Sequence, residues 1–463
     1  MECKISVKAG TDVIHVPIQY PTIQEAINHA NPGDTIFVHK RTYYEHVIIN
    51  KSVALVGEDR DSTNVDGNGT GSVISITANY VSVKGFTIER SGRGPYDSGI
   101  FVNRSSGNDV SRNTMTNNSN GISLYFSSYN TISHNTMTNN SNGISLLFSI
   151  KNMVSGNTIT NNNYGISLFS SINNMVSGNT ITNNNYGMYL ALYTMNNIIC
   201  CNNFNNTCQV RSDSTNVWDY GNQGNYWSDY AEQDLNGDGI GDKPYVIDIY
   251  NQDNHPLKGT FSDFNVTLER ETYHVTTICN STISEFRFEM EPETGKKIIS
   301  FNVTGKDSTV GFCRVTIPTD LMNYPYIVLV DVEEIVPTLL DVSNETYVYL
   351  YFTYSHSRHT IRIIYSLVRK LQTDLYNLNT TYCDLLNNYS IFLDNYSQLQ
   401  KSYHEFNKSY QDHLSDYSKN IHNVQNLMYI FAATTAVFII TIIYLSKRAH
   451  AGNTKAFEDK NRG

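Results

Sequence analysis

A 22-residue repeat in the middle of the chain limits its fold more than any other feature. NDVSRNTMTNNSNGISLYFSSY from Asn108 is followed by NTISHNTMTNNSNGISLLFSIK from Asn130. NMVSGNTITNNNYGISLFSSIN starts at Asn152, NMVSGNTITNNNYGMYLALYTM at Asn174, and Asn196 opens a fifth, degraded copy. A unit this short cannot bury its own apolar face, so neighbouring copies must cover it. Within each copy the spacing is strand-like: Val154, Ile159, Ile166 and Leu168 stand among Gly, Asn and Ser turns. Stacking aligns Val110, Ile132, Val154 and Val176 into one inward column, with Met115, Met137, Ile159 and Ile181 in a second. Ile122, Ile144, Ile166 and Met188 form a third. Asparagine adds a polar column. Of 56 in the chain, 27 lie from Asn108 to Asn206, and Asn113, Asn135, Asn157 and Asn179 fall in register, where amides bond along a stack. A leucine-rich repeat needs an LxxLxL core, which is absent. The prediction is a parallel β-helix with the usual right hand, of seven or eight coils, about 35 to 40 Å long at roughly 4.8 Å per coil.

Upstream, residues 36–38, 47–49, 53–56, 73–76 and 81–88 read as strands of earlier coils, with residues 91–97 as an inserted loop. Thr22-Ile23-Gln24-Glu25 is a capping box opening a short helix that Asn31-Pro32-Gly33 stops, placed to cover the open end of the solenoid. YPTIQEAINHANPGDTIFV, TYYEHVIINKSVALVGE and the NTIT-NNNYGISL coils together resemble the NosD-like parallel β-helix proteins, part of the carbohydrate-binding and sugar-hydrolase β-helix group. GNYWSDY from Gly224 and the following DLNGDGIGDKPYVID look like the close of such domains in archaeal surface proteins. The resemblance covers about residues 10–258.

That resemblance implies activities to weigh. Lyases and epimerases on this fold need a base, an acid and an Arg or metal for the enolate-like intermediate, and glycosidases need paired carboxylates. The residues available are Asp97 on the inserted loop, with Arg112 and His134 one coil apart in one column. Polar decoration at turns is the better account of them, and the reading assigns no catalytic residue. NosD proteins take part in maturing a copper enzyme, and copper(I) wants clustered Met and Cys. Only Met195, Cys200, Cys201 and Cys208 offer that, because Met115 and Met137 occupy a core column. Calcium has a better motif. Asp234, Asn236, Asp238, Gly239 and Asp242 match the first nine positions of an EF-hand loop, but Tyr245 stands where the bidentate Glu belongs, which predicts a weaker structural site. On the outward face, Ser123, Ser145, Ser167 and Tyr189 alternate with core residues, near Tyr125, Phe126, Leu147, Phe148 and Phe169. Such a row suits stacking on sugar rings; filling the corners of the coils is the alternative.

Residues 260–366 hold about eight alternating strands, a β-sandwich, in which Cys279 and Cys313 are the disulfide candidate among seven cysteines. A stalk follows. Leu378, Leu385, Phe392, Leu399 and Phe406 recur every seven residues, and Tyr382 to Tyr417 recur with the same period offset by four. This is an a/d heptad that predicts a coiled coil and a homo-oligomer of undetermined number, the alternative being a lone amphipathic helix packed on the sandwich; glycans on the sequons at Asn388 and Asn395, beside a positions, would crowd a tight dimer. LMYIFAATTAVFIITIIYL, residues 427–445, is long enough to span a bilayer. Lys447, Arg448, Lys455, Lys460 and Arg462 outnumber Glu458 and Asp459 beyond it, which places the C-terminus in the cytoplasm and the rest outside. Fourteen Asn-x-Ser/Thr sequons precede the span, a glycoprotein pattern. MECKISVKAG lacks the apolar run of a secretory signal, so export is read from the span alone. With 43 acidic against 33 basic residues, nucleic acid is a poor partner.

The resulting organisation is a β-helix (1–215), a cap with the calcium-type loop (216–259), a β-sandwich (260–366), a coiled-coil stalk (367–426), a transmembrane helix (427–446) and a cytoplasmic tail (447–463). The expected role is a single-pass cell-surface protein, non-catalytic, binding an extracellular glycan or envelope component as an adhesin or structural element. A surface polysaccharide lyase or epimerase is the rival, and copper-enzyme maturation a further one.

Overall fold

Short parallel strands, three per coil, wrap the repeat into a solenoid in the computed structural model, which describes residues 12–365 and 367–458. Sheet 1 has nine strands, from Val13–Val16 to Ile198–Cys200; sheet 2 has nine, from Arg41–Tyr44 to Tyr226–Trp227; sheet 3 has eight, from Val47–Ile49 to Cys208–Ser212. The nine strands of sheet 1 exceed the seven or eight coils expected. The additional first strand, Val13–Val16, lies ahead of the capping helix, where no repeat marks it. Residues 81–88, expected as one strand, are two, Ser82–Lys84 and Thr87–Glu89. Gly85 turns the corner between them at φ +83°, in the left-handed region open to glycine.

The inward columns pair in register, Val110 with Ile132 and Val154 with Val176, and the same holds for Met115 with Met137. All are fully buried. The corners carry three asparagine ladders rather than the single one that the repeat predicts. Asn113, Asn135, Asn157, Asn179, Asn202 and Asn225 donate side chain to side chain at 2.9–3.2 Å. Asn108 to Asn216 form a second series and Asn118 to Asn206 a third. Each amide also accepts a backbone N–H from the coil before, and all but Asn108, which donates to the Ser105 hydroxyl, donate to a backbone carbonyl, so the polar groups of the corners are satisfied inside the stack.

Both ends are covered. Helix α1 (Ile23–His29) starts at Thr22, whose hydroxyl accepts the Glu25 N–H, and buries Ile23, Ala26 and Ile27 against the first coil. The other end is closed by aromatics: Trp227 stacks between Phe204 and Tyr245, with ring centroids at 4.5 and 4.3 Å, and Trp218 packs beside it. Trp227 pairs in register with Phe204, so the solenoid runs beyond residue 215 into the segment expected to be only its cap.

Two antiparallel five-stranded sheets follow, Thr260–Leu268 to Arg358–Tyr365, around a core that includes Ile299, Phe301, Val315 and Leu350. The two strands beyond the eight expected are short edge pieces, Glu333–Ile335 and Thr338–Leu339. The sandwich joins the solenoid through reciprocal bonds between the Asn203 amide and the Phe261 backbone, 2.7 and 2.8 Å. The chain forms two units, Met1–Lys370 and Leu371–Gly463. The second belongs to one continuous helix, α2 (Leu367–Glu458), with no break between the expected stalk and span. Among the described residues it is the one helix long and apolar enough to cross a membrane.

Candidate functional site

Strand alternation on sheet 3 decides which side chains point away from the core. Ile122 and Leu124 point into the core, so Ser123 and Tyr125 point out, and pairing sets Phe101 beside Ser123 and Asn103 beside Tyr125. Rings gather at this end of the face. Tyr125 lies 6.3 Å from Phe101, 5.5 Å from Tyr96 and 4.6 Å from Phe126 (centroids), and Phe126 stacks on Phe148 at 4.8 Å. Phe126 and Phe148 sit at corner positions with φ near +50°, yet they are 48% and 39% exposed, so they do not fill the corners. The Arg104 guanidinium lies over both Tyr125 and Phe126, at 5.7 and 5.5 Å, and makes no ion pair among the described residues. A second cluster, Tyr164, Tyr186 and Tyr189 with Arg211 over Tyr189, ends the face three coils further on.

Two polar atoms within the first cluster are buried without a partner: Ser123 Oγ, on a residue 1% exposed, and Asn103 Oδ1. Such groups cost free energy until a ligand or water bonds them. The inserted loop forms one wall. Asn120 Nδ2 donates to the Pro95 and Asp97 carbonyls, and the Ser119 hydroxyl donates to that of Gly94, which holds Tyr96 against Tyr125. Phe101 and Asn103 are absent from the expected set. Extending the 22-residue period one coil upstream from Ser123 and Tyr125 would have found both.

The proton-transfer candidates do not converge. Arg112 and His134 stack one coil apart at the corner between sheets 1 and 2, while Asp97 lies at the corner leading into sheet 3 and accepts the N–H of Gly94 in its own loop. No carboxylate occurs on the sheet 3 strands from Ser98–Asn103 to Cys208–Ser212. The soft residues are likewise dispersed. Cys200 and Cys201 line a cleft of about 530 Å³ at the junction with the sandwich, together with His134 and the bonded pair Asp263–His274. Cys208 starts a sheet 3 strand, and Met195 lines a separate depression. Among the described residues, no three His, Cys, Asp or Glu side chains gather as a metal site.

The calcium-type loop is a hydrogen-bonded turn. Asp234 accepts the N–H groups of Gly237, Asp238 and Gly239, Asp238 accepts that of Ile240, and Asp242 that of Leu235. These bonds engage all three aspartates of the loop, and Asn236 lies between them in sequence. The Arg314 guanidinium donates to the Asp238 carbonyl from the sandwich, and burial lowers its basicity. Cys279 and Cys313 lie opposite each other on adjacent strands, both fully buried, with the Tyr354 hydroxyl beside them; burial pushes the Cys313 thiol up.

Residues 27–232 match the family model described as NosD, periplasmic copper-binding protein. No curated protein matches the chain. Among solved structures, the chain is similar to XylC in complex with xylose at 13% identity and TM-score 0.38, over 42% of this chain and 61% of that one. It is similar to the PL6 family alginate lyase AlyGC at 14% and 0.29, over 46% and 38%. A third is an alginate lyase from Paenibacillus sp. at 11% and 0.31, over 47% of this chain and 99% of that one. The chain thus spans less than two thirds of the first two. The solenoid is a parallel β-helix, and over residues 27–232 it is similar to the NosD family.

Proposed function

We propose that this NosD-like β-helix protein is a membrane-anchored surface protein that binds carbohydrate on the outer face of sheet 3 without cleaving it. The observation that carries the reading is the aromatic platform of Phe101, Tyr125 and Phe126 around the unpartnered Ser123 Oγ and Asn103 Oδ1. Faces of sugar rings stack on aromatics, and once the side chains over those two buried atoms shift, sugar hydroxyls supply the hydrogen bonds that they lack. The absence of a carboxylate on the strands of that face speaks against glycosidase chemistry there, which needs two, about 5 to 10 Å apart. The separation of Asp97 from Arg112 and His134 speaks against a lyase centre built from them. Apolar residues 427–445 supply the anchor, and the basic tail supports a cytoplasmic C-terminus.

The test is a glycan array probed with the full chain in mild detergent, followed by chromatography of the bound glycans. Binding to a defined subset with no shortened or unsaturated product is expected. Release of unsaturated sugars would establish the lyase reading, and absence of any binding would leave the solenoid a purely structural element.

A further inference from the structure

The a/d seam of α2 is apolar and exposed along its length. From Leu371 to Leu427, a and d positions alternate through seventeen residues, and fifteen are Leu, Val, Phe or Tyr; His413 and Asn420 are the exceptions. Each of those fifteen is 52–69% exposed. Helices in proteins take most of their stability from packing of an apolar face.

We propose that a second copy of this chain covers the seam, as a parallel, in-register, two-stranded coiled coil. The available area is sufficient. Aromatic side chains bury roughly 150–250 Å² each, so covering even half of this seam removes on the order of 1,000 Å² per chain, above the roughly 800 Å² of a standard interface. Strand number follows from tyrosine. Six consecutive a positions, Tyr382 to Tyr417, carry phenol hydroxyls, which need a partner or water. In a two-stranded coil the a rings pack in the seam while the tips of such long side chains reach its edge, so the hydroxyls stay wet, whereas a closed larger bundle buries them unpaired. Direction follows from the anchor: copies that enter one membrane through residues 427–445 point the same way. The direction rests on the proposed membrane anchoring; the pairing does not. Two tethered solenoids then present two sheet 3 faces to one polymeric glycan, and avidity exceeds the affinity of either face.

Cysteine cross-linking of the full chain in mild detergent tests this. In a Cys383→Ser background, Leu385→Cys places a thiol at d, while Lys401→Cys places one at f, facing away. Mild oxidation should convert Leu385→Cys to a covalent dimer at least tenfold more than Lys401→Cys. Phe406→Cys, a second d position, should behave like Leu385→Cys and guards against a local folding failure. Light scattering of the unsubstituted chain should give the mass of two copies. A single-chain mass, or equal cross-linking at d and f, overturns the pairing; three or more copies overturns the strand number. Cross-linking of Leu385→Cys only to a chain carrying His413→Cys would mean an antiparallel pair and overturn the direction.

Discussion

Asn225 gives its backbone N–H, at 2.7 Å, and its side-chain amide, at 3.4 Å, to one carboxylate oxygen of Asp253, so a ladder of neutral amides ends on an ionisable group. Burial raises the Asp253 carboxyl from 3.8 to about 6, against the lowering effect of bonds from Asn225, Trp227 and His255. An acid raised on folding holds its proton more tightly in the folded chain. Its contribution to stability is therefore fully present below about pH 4 and is lost as pH rises through 6, a difference of about 3 kcal/mol. Trp218 and Trp227, the only tryptophans, both lie in the cap, so their fluorescence reports on this region. The thermal midpoint read by tryptophan should be higher near pH 5 than near pH 7, and Asp253→Asn should flatten the difference. An unchanged slope in the variant would assign the titration to another group.

Asn157 links three coils: it accepts the Asn135 N–H and donates to the Ile132 carbonyl and to Asn179. Asn157→Leu strands buried backbone groups at about 1–3 kcal/mol each, so a loss of about 4 kcal/mol is expected. Asn163→Ala, which removes one exposed amide bond to Asn185, should cost less than about 0.5 kcal/mol. Far-UV circular dichroism of thermal unfolding compares them, and equal effects would contradict a structural role for the ladders.

How much of this was legible varies with period. The 22-residue repeat gave the inward columns and one ladder directly, because identical residues recur at a fixed spacing. The other two ladders were equally regular but lay in Asn-rich turns that read as loops. The binding face was half legible. Ser123 and Tyr125 belong to the repeat, but Tyr96 comes from an insertion and Phe101 from a coil that has lost the motif. The link of Asn225 to Asp253 was not legible, since only tertiary closure by the cap brings residue 253 to the end of the ladder.

Cys279 and Cys313 occupy opposed, buried positions 34 residues apart in sequence, and we propose that they are joined in the exterior compartment. Closing that loop constrains the unfolded chain by about 3 to 4 kcal/mol. Peptide mapping of the unreduced protein should recover the two cysteines in one linked species. Full alkylation of both thiols without reductant would exclude the bond.

For the Asp234–Asp242 loop, a calcium ion is proposed from the residue spacing. A hundredfold excess of calcium over its dissociation constant would stabilise the cap by about 2.7 kcal/mol, and Asp238→Ala should abolish that gain. Asp234→Ala should lower the cap midpoint with or without calcium, because three backbone N–H groups lose their acceptor. Equal midpoints in calcium and in chelator would leave the loop a turn only.

The aromatic platform on sheet 3 is proposed to hold a sugar and leave it intact. Titration of the full chain with the best glycan from the array, for the unsubstituted protein and for Tyr125→Ala, measures it most directly. Loss of one stacking ring at about 1 to 1.5 kcal/mol should weaken binding roughly tenfold, with the recovered glycan unchanged in length. Undiminished binding in Tyr125→Ala, or cleavage of the glycan by the unsubstituted protein, would contradict it.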